Sequence, residues 1–87
     1  MSISEISQNL EHDEKEFTDL DLTQVDLVEH VFENCVFQRC NLSGAKLTRT
    51  RFMSCKFLTC DLSNVSFKNA RIRDAVFEGS KLIGITF

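Results

Sequence analysis

A chain of 87 residues has room for one small domain with a single core, and its formal charge of −3 supplies no concentrated basic surface of the kind that phosphate backbones need, so direct nucleic-acid binding is not expected. No stretch approaches the ~20 apolar residues of a membrane span, and the first residues have neither a basic start nor an apolar run, which predicts a soluble, cytoplasmic protein. In a reducing cytoplasm the four cysteines argue against a disulfide frame, and the C-x4-C spacing of Cys35/Cys40 and Cys55/Cys60 differs from the C-x2-C knuckle of structural zinc.

Residues 1–14 read as an acidic leader or cap. Ser2 and Glu5 fit a capping box, and Ile3, Ile6 and Leu10 fall on one helical face, which predicts a short helix or irregular cap over residues 2 to about 12. His12 lies in this leader, where a solvated histidine is the default.

From residue 15 to 87 the pattern has a period of five. Stepping from Phe17 gives Leu22, Leu27, Phe32, Phe37, Leu42, Leu47, Phe52, Phe57, Leu62, Phe67, Ile72, Phe77, Leu82 and Phe87, all large and apolar, and every phenylalanine of the chain is among them. Two places earlier lies a smaller slot, which is small or apolar from Leu20 onward except at His30 and which holds Cys35, Cys40, Cys55 and Cys60. Free cysteine suits a compact core position, so the cysteines read as packing residues. Neither a helix nor a plain strand keeps a five-residue pattern on one face over such a length, so the chain must turn at every fifth residue. Two places after the central slot stand Asp19, Asn34, Gly44, Asn64, Asn69, Asp74, Gly79 and Gly84, among others; this position contains every glycine, as a corner with unusual backbone angles requires.

Identity recurs every twenty residues: Phe17, Phe37, Phe57 and Phe77 form one column and Leu22, Leu42, Leu62 and Leu82 the next. Four five-residue sides that close one square coil would stack such residues at about the 4.8 Å strand spacing, with Cys35 under Cys55 and Cys40 under Cys60. The expected core is therefore Phe37, Leu42, Leu47, Phe52, Phe57, Leu62 and Phe67 together with the four cysteines.

The coils also differ in charge. Residues 1–14 carry −4 and residues 15–34 carry −5, whereas residues 35–54 carry +4, residues 55–74 carry +2 and the remainder cancels. His30 sits in an inward slot, where a packed histidine is the expectation, and no nucleophile motif, phosphate loop or metal-ligand spacing accompanies it. No catalytic residue, cofactor site or metal site is expected. At the far end Leu82, Ile83, Ile85 and Phe87 form an uncapped apolar end; either the chain is a piece of a longer repeat protein, or this end packs on another copy as a homodimer.

The segments "CNLSG", "AKLTR", "CDLSN", "VSFKN" and "SKLIG" resemble the pentapeptide repeat proteins, whose loose consensus is A(D/N)LXX with the apolar residue central. The resemblance covers residues 15–87 and departs at Lys15, His30 and Thr50, while "EHVFENCVF" has valine where the consensus has Asp or Asn. It implies an all-β fold, a right-handed quadrilateral parallel β-helix of fewer than four coils. "ENCVF" and "MSCKF" are similar to the Cys-Phe usage of the Qnr and MfpA branch, which protects DNA gyrase by imitating duplex DNA. That resemblance implies a noncatalytic, DNA-mimicking rod that binds a type II topoisomerase. The short rod and basic middle leave a structural scaffold or assembly module as the rival.

Overall fold

The computed structural model describes residues 3–23 and 25–85. One helix, α1 (Ile3–Gln8), precedes eight strands of three residues: β1 (Glu11–Asp13), β2 (Glu16–Thr18), β3 (Val31–Glu33), β4 (Val36–Gln38), β5 (Arg51–Met53), β6 (Lys56–Leu58), β7 (Arg71–Arg73) and β8 (Val76–Glu78). Strands this short gain hydrogen bonds only from neighbours, and each pairs in parallel with the strand twenty residues on, Phe32 against Phe52 and Phe37 against Phe57. Two four-stranded sheets result, β1-β3-β5-β7 and β2-β4-β6-β8. The other two sides are tied by single parallel bridges, Asp21 to Asn41 to Asp61 to Lys81 and Asp26 to Lys46. Four ladders close a quadrilateral parallel β-solenoid of fewer than four coils, the all-β fold that the five-residue period predicts.

The corners carry the backbone cost of turning every fifth residue. Every described residue two places after a central slot has a positive φ, from 51° at Arg39 to 71° at Gly84. On the two bridged sides this residue is the third of a hydrogen-bonded turn, as in Ala45 N–H to Leu42 O at 2.9 Å and Thr50 N–H to Leu47 O at 3.1 Å, the conformation a type II turn requires. There an Asp or Asn before the central slot caps the turn: Asp21, Asn41 and Asp61 each accept through Oδ1 from the backbone N–H two residues on, at 3.0, 3.0 and 2.9 Å. The strand sides have no such turn, and at the same position they carry Val31, Val36 and Val76. The valines that break the consensus are thus strand residues of an alternating coil.

Inside, the columns stack like on like. Phe17, Phe37, Phe57 and Phe77 have successive ring centroids 5.0, 4.9 and 4.9 Å apart, and Phe32 lies 5.2 Å from Phe52. Phe37, Leu42, Leu47, Phe52, Phe57, Leu62 and Phe67 are buried with Cys35, Cys40, Cys55 and Cys60 in one core. Burial fades toward the C-terminal end, where Ile72 and Phe77 are only partly covered and Leu82 is 44% exposed.

The N-terminal segment departs from expectation. The helix stops at Gln8, Ile6 joins the core, and Leu10 is exposed because the chain has already turned into β1. The Ser2–Glu5 capping box and Phe87 fall outside the described residues. His12 is not solvated: it is 4% exposed and occupies the central slot one step before Phe17, stacked on Phe32 at 4.6 Å. Its strand β1 pairs with β3, so the first rung of the sheet lies within residues 1–14. With principal extents of 28 × 25 × 24 Å, the coils form a block rather than a rod.

Candidate functional site

The inward polar groups are all engaged by the fold. Cys40, Cys55 and Cys60 donate through Sγ to the carbonyls of Phe17, Phe32 and Phe37 at 3.2, 3.3 and 3.2 Å, and Cys35 donates to that of His12 at 3.5 Å. Thr50 Oγ1 does the same to Leu27 O at 2.6 Å and Ser80 Oγ to Phe57 O at 3.0 Å. The small slot therefore accepts a compact donor that satisfies a carbonyl 23 residues earlier. Reading the cysteines as apolar packers misses this role; its sequence signal was the sharing of one slot by Cys, Thr and Ser. The cysteines are free thiols. The stacked partner, Cys35 for Cys55 and Cys40 for Cys60, and then burial, pushes the Cys55 and Cys60 thiols up. All four are at most 2% exposed, so no reagent reaches a thiolate from outside.

His12 and His30 pack as a pair, Nε2 to Nδ1 at 3.3 Å and rings nearly parallel. His30 is 3% exposed, in the inward position expected of it. Burial lowers both imidazoles below the ordinary histidine range; His30 lowers His12 further, and Asp26 opposes the shift at His30. One hydrogen bond between the two rings needs an N–H on one ring and a free lone pair on the other, so the two rings cannot both be protonated while it is made. Among the described residues no three His, Cys, Asp or Glu side chains gather as metal ligands.

What the molecule offers a partner is surface. Two exposed ion pairs tie the first coil to the second at the corners: Arg39 binds Asp19 through Nε at 2.7 Å and Nη2 at 3.1 Å, and Arg49 Nη2 meets Glu29 Oε1 at 2.9 Å. The Arg39 hydrogen bond holds the Asp19 carboxyl below its usual range. The remaining charge is segregated along the coil axis, with Glu11, Asp13, Glu14 and Glu16 exposed at the start and Lys46, Arg51, Lys56 and Lys68 exposed further on. At the C-terminal end an apolar hollow of about 510 Å³ is lined by Phe67, Ala70, Ile72, Phe77, Leu82 and Ile85. Of the residues expected there, Leu82 and Ile85 line the hollow, while Ile83 is 72% exposed beside it. Among the described residues no helix is long and apolar enough to cross a membrane.

The fold has a solved counterpart. It matches the structure of trypsin-treated QnrB1 carrying M102R, a plasmid-mediated fluoroquinolone resistance protein, with a TM-score of 0.78 and 27% identity. The match covers 86% of this chain and 38% of that one, so the chain spans well under half the length of QnrB1. No curated protein sequence matches. The family model for the pentapeptide repeat region matches residues 10–87, starting one residue before the His12 strand and taking in every coil, and the chain belongs to the pentapeptide repeat family.

Proposed function

We propose that this chain is a noncatalytic, DNA-mimicking module of the cytoplasm that binds a type II topoisomerase, DNA gyrase, and protects it from toxins or quinolones. The likeness to QnrB1 carries this reading, and the first coils have the charge it needs. Residues 11–34 hold nine carboxylates against one lysine. They lie around all sides of little more than one coil, where Asp19 and Glu29 are paired with Arg39 and Arg49. An acidic first coil of this kind would compete for a basic DNA-binding surface. The inward thiols and histidines are occupied by the fold, which supports a binding role over a catalytic one.

A second reading, a scaffold or assembly module, is favoured by the apolar hollow at the C-terminal end, where a homodimer or another repeat protein would stack on Leu82, Ile83 and Ile85. A gyrase supercoiling assay with a quinolone present separates the two. Supercoiling restored as protein is added supports the topoisomerase reading; no change at a large molar excess overturns it in favour of the scaffold.

A further inference from the structure

The outward side chains of the β1-β3-β5-β7 sheet form two columns, Glu11–Val31–Arg51–Arg71 and Asp13–Glu33–Met53–Arg73. Each column runs from acid to base along the coil axis. None of these charges is in an ion pair among the described residues, where both pairs lie at corners. The acidic half is also slightly concave, a depression of about 310 Å³ lined by Glu11, His12, Asp13, Val31 and Glu33.

We propose that this face binds itself, joining two copies with their coil axes antiparallel. A two-fold axis along the strand direction, between the second and third rungs, reverses the rung order and preserves the column. It sets Glu11 opposite Arg71 of the second copy and Asp13 opposite Arg73 of the second copy, and symmetry repeats both pairs. Between them Val31, half-buried, faces the aliphatic stem of Arg51 of the second copy, and Met53, also half-buried, faces Glu33 of the second copy. The contact is isologous and closes at two copies. A parallel arrangement would set acid on acid and base on base, so charge fixes the orientation. Glu14 and Asp74 stand at the corner, on the solvated rim.

The face is about 20 Å by 10 Å, well short of the roughly 800 Å² per partner of a standard stable interface. The dimer is accordingly weak, concentration-dependent and salt-sensitive, unlike one built on the apolar C-terminal end. This inference is independent of the topoisomerase reading.

Sedimentation of the full chain over a concentration series tests it. At low salt the chain self-associates, and 0.5 M salt weakens the association at least ~10-fold as screening shortens to a few ångströms. Glu11→Arg/Asp13→Arg and Arg71→Glu/Arg73→Glu, both on exposed positions, each weaken self-association at least ~10-fold, and an equimolar mixture of the two restores it, because each substituted position again faces an unlike charge. Association that neither salt nor either charge reversal weakens would place the contact at the apolar end and overturn the proposal. So would a monomer at every concentration in low salt, or two folded variants whose mixture fails to associate. The salt response of the unmodified chain stands on its own if a variant does not fold.

Discussion

His12 stands where the rest of its column is aromatic or aliphatic, and its ring fills the slot as a phenylalanine would while passing a hydrogen bond to His30. Burial makes protonation of either ring unfavourable in the folded state. The unfolded chain takes up protons below the ordinary value of 6.5, and the folded chain does so only at lower pH. Stability is therefore full well above 6.5 and falls as pH drops through 6.5 toward the depressed folded values, because the unfolded state then holds more protons. The melting temperature should decline between about pH 7.5 and about pH 5.5, above the carboxylate range. His12→Phe should shrink that decline by removing one of the two titrating rings. A profile equally steep in the variant would mean that the pair does not govern it.

At the scale of the element, each column is a series of small apolar steps whose middle members gain contacts from both sides. Phe57 is fully buried between Phe37 and Phe77, each 4.9 Å away, and its truncation to Ala should cost about 3–5 kcal/mol. Phe77→Ala, at the partly covered end of the same column, should cost clearly less; equal losses in denaturant titrations would show that the column is not graded. The sides differ in kind, which gives a less obvious prediction. Asn41→Ala removes the side-chain cap on Ser43 N–H and should cost about 1 kcal/mol. Val36→Asn restores the family consensus yet should destabilise, since it places a poor strand former in β4 where no turn needs a cap. A more stable Val36→Asn variant would refute the distinction between sides.

That distinction also marks how far the fold was legible. Central slots and corners announce themselves because one demands bulk and the other a positive φ, and both demands repeat without interruption. The alternation of strand and turn sides was present in the sequence as Asp21, Asp26, Asn41 and Asp61 against Val31, Val36 and Val76, but a single averaged consensus hides it. The first rung is hidden because histidine gives no apolar signal, so the apolar column starts at Phe17 and His12 reads as part of the leader. At the surface, the acidic-to-basic order of the coils and their twenty-residue stacking can be read directly; which of the charges pair cannot, since that depends on the reach of side chains at the corners.

For the molecule as a whole, parallel registration with two strand sides and two turn sides makes the chain's length a quantised property. Duplicating Cys35–Ser54 inserts one complete turn of the sequence, so every later residue returns to the side it left, and the longer chain should fold with one more rung and a higher melting temperature. Duplicating only Cys35–Arg39 adds a quarter as much, keeps every slot in phase with the five-residue repeat, and yet rotates all that follows by one side. Two of the four sides then set strands against turns, and cooperative unfolding by circular dichroism should be lost or markedly broadened. In a gene for such a protein, the tolerated unit of insertion or loss is therefore the sixty-nucleotide codon block that encodes one turn, four times the repeat visible to the eye.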